Sequence, residues 1–157
     1  MIRVIIADDH QIFIDGVKEI LTSMNEFEVV GEANNGVELI DLLSKQLADV
    51  ILMDVNMPKM DGIESTKYVV ETFTNIKVLI LTMHDTREFI EKVIKIGAHG
   101  YLLKNTSKAE LKLAIETVHG GDSYYSTEVT KRIIDGIQQK SKAIKESGNA
   151  ELTEREK

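Results

Sequence analysis

Five polar residues stand at positions where their side chains suit phosphate or metal chemistry. Each directly follows or ends a short apolar run, and they are Asp8, Asp9, Asp54, Thr82 and Lys104. Three carboxylates brought to one place repel one another, and a single lysine offsets only one charge. A hard divalent cation with oxygen ligands is the natural remedy, and an aspartate beside such an ion is a competent nucleophile. The residue types therefore indicate cation-assisted phosphoryl transfer onto an aspartate.

Each of these residues also has an ordinary explanation when it is taken alone. An aspartate after a strand is more often a helix N-cap than a ligand. Thr82 is then a strand-end residue and Lys104 a solvated charge. Their joint position at one rim of a sheet favours the functional interpretation. The histidines show no metal-ligand spacing and are interpreted as ordinary; they are His10, His84, His99 and His119.

The elements that must position these residues are visible as five apolar runs, which alternate with longer segments of helical period. The runs are mostly continuous and rich in β-branched residues, which is typical of strands buried on both faces. They are Val4–Ala7, Val29–Gly31, Val50–Met53, Val78–Leu81 and Tyr101–Leu103. The pattern predicts an α/β fold, a flavodoxin-like (βα)5 doubly wound parallel sheet with strand order 2-1-3-4-5. Its ligand crevice lies at the carboxyl ends of the first and third strands, where the aspartates stand.

Composition limits the function classes. The chain has 157 residues, of which 43% are hydrophobic and 29% are charged, and this balance is that of a soluble globular protein. No apolar run approaches a membrane span and the first residues lack a signal peptide, so we expect a cytoplasmic protein without membrane contact. The absence of cysteine excludes disulfides and thiolate sites. The net charge of -7 argues against nucleic-acid binding by this surface.

The chain resembles the receiver domain of two-component response regulators from about Ile2 to Gly120. The motifs that carry the resemblance are DDH (8–10), MDVNMPKMDG (53–62), LTMH (81–84) and GYLLK (100–104). DDH and LTMH look like the NarL/FixJ branch, whose output is a LuxR-type helix-turn-helix domain. LTEREK (152–157) is similar to the opening of that DNA-binding domain.

The resemblance implies a role for each acidic position. Asp54 would be the phosphoacceptor and would also contact a Mg²⁺ (or Mn²⁺) ion. Asp9 would ligate this ion directly, Asp8 largely through water, and Asn56 through its backbone carbonyl. Lys104 would contact the phosphoryl group.

The resemblance also implies a switch and partners. Thr82 would swing in to hydrogen-bond the phosphoryl group, and Tyr101 would follow inward. The donor would be a sensor histidine kinase or a small acyl phosphate. We expect phosphorylation to promote a homodimer through the face around the fourth helix, fifth strand and fifth helix. DNA would be bound only through a C-terminal domain.

The predicted organisation has three parts. Residues 1–121 form the receiver, which ends at Gly120–Gly121. Residues 122–151 hold an additional amphipathic helix, from about Thr127 to Gln139, and a polar linker. Residues 152–157 are the start of a truncated helix-turn-helix domain, with a capping box formed by Thr153 and Glu156. We expect the chain to have been cut there.

Two positions depart from the family pattern, and three other functions are open. Asn105 stands where the family usually has a proline, and Met83 is larger than the residue usual after the switch threonine. A haloacid-dehalogenase-type phosphatase would need a second acid two positions after the nucleophile, where this chain has Asn56. A flavin-binding module would need a hydroxyl-rich loop where the chain has an aspartate pair. A phosphorylation-independent interaction domain would keep the fold and lose the chemistry.

Overall fold

Six strands form one parallel sheet in residues 1–138, the part of the chain that the structure, a computed structural model, describes. Their order is β2-β1-β3-β4-β5-β6. The strands are β1 (Ile2–Ala7), β2 (Phe27–Ala33), β3 (Val50–Met53), β4 (Lys77–Thr82), β5 (Gly100–Leu103) and β6 (Tyr124–Tyr125). Every residue of β3 and β5 is buried, as expected of strands covered on both faces. The predicted fold and order are confirmed, and β6 extends the sheet beyond the prediction.

Helices cover both faces of the sheet. They are α1 (Gln11–Thr22), α2 (Gly36–Leu43), α3 (Gly62–Thr72), α4 (Arg87–Lys95) and α5 (Lys108–His119). The apolar stripes of α1 and α5 pack on one face of the sheet, and those of α2, α3 and α4 pack on the other. Three helices begin after residues whose side chains accept a hydrogen bond from the backbone N–H three residues on, namely Asn35, Asp61 and Ser107. None of the described helices is both long and apolar enough to cross a bilayer.

The segment after α5 packs on the edge and face beside β5. β6 pairs with β5 in parallel, with Tyr124 opposite Gly100. Residues 127–138 are helical, as predicted. Within this helix Val129 is fully buried in the same cluster as the apolar residues of α4, and Arg132 forms an ion pair with Asp85 at 3.4 Å. The helix therefore lies against α4 and the loop that precedes it. The predictions for residues 139–157 lie outside the described residues.

Strand register fixes which side chains meet at the carboxyl edge. Ala7 of β1 pairs with Met53 of β3, so the residues that follow them, Asp8 and Asp54, leave the sheet side by side. The last residue of β4, Thr82, pairs with Leu103 of β5. The next residue, Lys104, therefore leaves the sheet beside the threonine.

Candidate functional site

Two buried carboxylates share one lysine at this edge. The side chains of Asp8 and Asp54 are 2% and 3% exposed, and that of Lys104 is 10% exposed. The ammonium Nζ lies 2.6 Å from Asp8 Oδ2 and 3.3 Å from Asp54 Oδ2. Its other neighbours are His10 Nδ1, 3.4 Å away, and the ring of Phe13, whose centroid is 4.4 Å away. Two negative charges thus face one positive charge in a site with little access to water, which is unfavourable without a further cation.

Close packing holds the backbone at Asp54. The N–H of Asp54 donates to the carbonyl of Ala7, and the N–H of Gly62 donates to that of Val55 at 3.0 Å. A Cβ at Gly62 would clash with the backbone carbonyl oxygen of Asp54. Glycine at this position lets the start of α3 approach the end of β3 closely. The family motif included this glycine, and the structure supplies its physical reason.

Asn56 is an exposed residue at the edge of the site. Its backbone N–H lies 3.4 Å from Asp54 Oδ1, at the long end of hydrogen-bond range. The loop therefore folds back over the carboxylate, and the backbone of Asn56 lies next to it.

His10 joins the acids, although its spacing from the other histidines led us to interpret it as an ordinary residue. Its Nδ1 lies 2.9 Å from Asp8 Oδ1 and 3.1 Å from Asp9 Oδ1. Its backbone N–H also donates to Asp8 Oδ1, at 2.9 Å. Neither aspartate is the N-cap of α1, because His10 holds that position and makes no side-chain cap bond. The ordinary capping explanation for the aspartates is therefore wrong.

The donor set fits a divalent cation. One ligand atom from each of Asp8, Asp9, His10 and Asp54 lies within 4.8 Å of the others. Oδ2 of the buried Asp8 accepts no hydrogen bond from any described residue, and only the lysine ammonium approaches it as an ion pair. Oxygen donors of this kind are the ligands that Mg²⁺ and Mn²⁺ use in proteins.

Thr82 and Tyr101 are linked through His84. Thr82 is fully buried, and its Oγ1 accepts the His84 N–H at 3.3 Å. The hydroxyl of Tyr101, also fully buried, donates to the His84 carbonyl oxygen at 2.5 Å. Burial, with the nearby charges of Asp85 and Asp54, raises the pKa of Tyr101 well above its usual range, so the phenol stays a neutral donor.

A family model for the response regulator receiver domain matches residues 4–116. The chain belongs to this family. The receiver domain is similar to the transcriptional regulatory protein DegU of Brevibacillus brevis, with 42% identity over 133 residues, which are 85% of this chain and 56% of that protein. It is 38% identical over 134 residues to the oxygen regulatory protein NreC of Staphylococcus aureus, covering 85% of the chain and 62% of the relative. The chain thus spans less than two thirds of these relatives.

Solved structures agree with the assignment. A LuxR-family two-component response regulator from Aurantimonas sp. SI85-9A1 matches with a TM-score of 0.80 and 30% identity, over 85% of this chain and 96% of that chain. A second match is the isolated REC domain of RcsB from Salmonella enterica serovar Typhimurium, solved with the phosphomimetic BeF3-. It has a TM-score of 0.77 and 30% identity, over 83% of this chain and 97% of that chain. The predicted family and branch are confirmed.

Proposed function

We propose that this receiver accepts a phosphoryl group from a sensor histidine kinase, or from a small acyl phosphate, onto Asp54. The observation that carries the proposal is the meeting of Asp8, Asp54 and Lys104 in one buried cluster with unbalanced charge. We place the reaction in the cytoplasm. The receiver acts as a signalling switch that catalyses only its own phosphorylation and slow dephosphorylation.

In the proposed reaction a carboxylate oxygen of Asp54 attacks phosphorus. The bond from phosphorus to the donor's imidazole nitrogen, or to the acyl oxygen, breaks, and an aspartyl phosphate remains on the receiver. Lys104 donates hydrogen bonds to the transferring oxygens, which carry the charge of the transition state. A Mg²⁺ (or Mn²⁺) ion at the site would supply further neutralisation of those oxygens. Asp8, Asp9, Asp54 and the backbone carbonyl of Asn56 would hold it.

A chain of hydrogen bonds supports a switch that starts at Thr82. Beyond the bonds through His84, the carbonyl of Tyr101 accepts the N–H of Ser126 at 3.1 Å. The hydroxyl of Ser126 in turn accepts the N–H of Val129 at 3.3 Å, within the first turn of helix 127–138. When Thr82 turns toward the phosphoryl group it gives up its bond to His84, and the change reaches this helix.

We further propose that the switch promotes dimerisation and controls an attached DNA-binding output domain in the full-length protein. RcsB, one of the similar proteins, has been solved as dimers bound to DNA. Near-complete switching requires about 5 kcal/mol of differential stabilisation. Charge-assisted bonds from Lys104 and a bond from Thr82 would approach that value. Tyr101 is already fully buried, so its contribution would be repacking and not inward movement.

The transfer is tested by intact mass. The protein is incubated with acetyl phosphate and Mg²⁺, and we expect the mass gain of one phosphoryl group in the wild type and in Asp41→Asn, whose carboxylate lies on the surface of α2. Asp54→Asn should gain nothing. A mass gain that persists in Asp54→Asn, or none in the wild type, contradicts the proposal. The latter result would leave the phosphorylation-independent interaction domain as the function.

The switch is tested by hydrogen exchange and light scattering with and without beryllium fluoride. We expect the mimic to change amide exchange in residues 124–138 of the wild type and to increase the dimer fraction. Thr82→Ala should still bind beryllium fluoride, but the mimic should no longer change amide exchange in residues 124–138. Equal exchange and equal oligomer size in the wild type with and without the mimic contradict the switch.

A further inference from the structure

The ring of His10 lies between two carboxylates of the site. Its Nδ1 is 2.9 Å from one oxygen of Asp8 and 3.1 Å from one of Asp9. Three consecutive side chains therefore converge, because the backbone turns between β1 and α1 and the His10 N–H donates to the same Asp8 oxygen. The His10 side chain is 61% exposed, so ions in solution reach it directly.

These separations match the edge of a coordination octahedron. With metal–ligand bonds of about 2.1 Å, neighbouring ligands in an octahedral complex lie about 3.0 Å apart. The two distances at His10 Nδ1 have this value. One cation can therefore bind the imidazole nitrogen and both carboxylate oxygens with little movement of the backbone, once the Lys104 ammonium, 3.4 Å from Nδ1, moves aside.

A second observation points to a cation at the same place. Oδ2 of Asp8, in a side chain that is 2% exposed, has no hydrogen bond from a backbone or neutral group among residues 1–138, and its one close partner is the Lys104 ammonium at 2.6 Å. Asp8 and Asp54 also share the single charge of Lys104. A dication bound by Asp8 lowers the repulsion between these carboxylates, so the charge of the site favours binding as much as the donor geometry does.

We propose that His10 Nδ1 is a metal ligand and that the site consequently prefers late transition-metal dications such as Ni²⁺ to Mg²⁺. Imidazole nitrogen is a ligand that suits Zn, Cu, Fe and Ni, whereas Mg²⁺ is served by carboxylate, carbonyl and water oxygens. The aspartates alone bind either ion, so the nitrogen decides the preference. The inference rests on the proposed site, and it adds a nitrogen ligand and a metal selectivity.

Calorimetry with Ni²⁺ and Mg²⁺ as the probes tests the selectivity. His10→Ala should weaken Ni²⁺ binding by about tenfold or more, because even outer-shell partners of a metal site are worth that much. Mg²⁺ affinity should stay nearly unchanged. His119→Ala, which removes an exposed histidine at the end of α5, is the matched control and should bind Ni²⁺ as the wild type does. His10→Asn, which keeps a good N-cap residue at the start of α1, should reproduce the loss.

A proton NMR spectrum of the Ni²⁺ complex tests the ligand itself. We expect paramagnetically shifted resonances of a coordinated imidazole in the wild type and in His119→Ala, and their absence in both His10 variants. Unchanged Ni²⁺ affinity or unchanged shifted resonances in His10→Ala overturn the inference, and so does an equal loss in His119→Ala. Both measurements are made without a phosphodonor, so failure of phosphoryl transfer to Asp54 leaves their outcome distinct.

Discussion

At the scale of single residues, the charges at the carboxyl edge of the sheet conflict with stable folding. Asp8 and Asp54 are buried beside one ammonium group, and each is close enough to Lys104 to compete for it. A structure selected for stability alone would hold one buried carboxylate for one lysine. Residues that conflict with stable folding in this way are expected where a function requires them.

Asp8→Asn should make the protein more stable in the absence of divalent cations. The amide keeps the shape and removes one of the two charges that share Lys104, and its single oxygen accepts either from the His10 N–H or from Lys104. We expect the free energy of unfolding to rise by about 1–2 kcal/mol. Urea unfolding with a chelator measures it, and Mg²⁺ affinity should fall in the same variant.

The control for Asp8→Asn is Asp41→Asn, which removes an exposed carboxylate whose partner is Lys45. Exposed pairs of this kind contribute little, so its stability should equal that of the wild type. A variant at Asp8 that is no more stable than the wild type would mean that the two buried carboxylates do not repel each other in the folded protein.

At the scale of elements, the ends of the first five strands and the order of those strands were predictable from the sequence. Continuous β-branched runs identify buried parallel strands, and the carboxyl ends of such strands must share an edge. Asp8, Asp54, Thr82 and Lys104 could therefore be placed together from sequence. Their proposed roles remain predictions.

β6 and His10 could not be found from the sequence, for different reasons. β6 has only the residues Tyr124–Tyr125, which is too short for any periodicity, and its pairing with β5 depends on tertiary contact. Ligand spacing was sought between histidines, whereas His10 meets two neighbouring aspartates through an extended backbone with φ -101° and ψ 97°. Its position is a matter of local conformation, which residue type does not determine.

Gly62→Ala tests the contact between α3 and the end of β3. The added Cβ meets backbone atoms of Asp54 and Val55, which cannot rotate away. We expect the variant to lose about 1–3 kcal/mol of stability and to accept phosphoryl groups more slowly. Chemical denaturation and the mass assay measure the two effects.

Gly16→Ala is the matched substitution, because an added Cβ at this position in α1 meets nothing within 4 Å. Alanine in an open helical position should raise stability by about 0.5–1 kcal/mol. If both glycine variants are equally stable, close approach of α3 to the site backbone is not what requires glycine at position 62.

Gly136→Val tests the packing of helix 127–138 against α4. A Cβ at Gly136 lies 2.7 Å from Cδ of Arg87 and 3.1 Å from Oε1 of Glu91, so a branched side chain must displace these two long side chains or the helix itself. We expect faster amide exchange in residues 127–138 with unchanged exchange in β1 and β3. Asp135→Val places the same side chain at the neighbouring exposed position and should leave exchange slow. Equal exchange in both variants would contradict close packing at this glycine.

At the scale of the whole molecule, the carboxyl ends and the amino ends of the strands carry different kinds of polar groups. The carboxyl edge carries the acids and the lysine. The opposite edge carries polar contacts that are fully satisfied. Nδ1 of His99 accepts the N–H of Val78 at 2.9 Å, and burial lowers the pKa of this histidine, which keeps it neutral. Asp49 accepts the N–H, Nε and Nη2 of Arg3 at 2.8, 3.2 and 3.0 Å.

Asp49→Asn should therefore destabilise the protein without slowing phosphoryl transfer. The hydrogen bonds from Arg3 hold the pKa of Asp49 below its usual value of 3.8, so this carboxylate stabilises the fold above that pH and loses its effect as the pH falls through the lowered pKa. We expect a loss of about 1–2 kcal/mol at neutral pH, reduced by the exposure of Arg3.

The difference between the wild type and Asp49→Asn should shrink on acidification, because protonation removes the same charge from the wild type. Urea unfolding at neutral pH and at the lowest pH that preserves the fold measures this change. Intact mass after acetyl phosphate treatment should be the same for both proteins. Slower phosphorylation in Asp49→Asn would show that the edges are coupled, since this residue lies at the amino ends of the strands and Asp54 lies beyond the carboxyl end of β3.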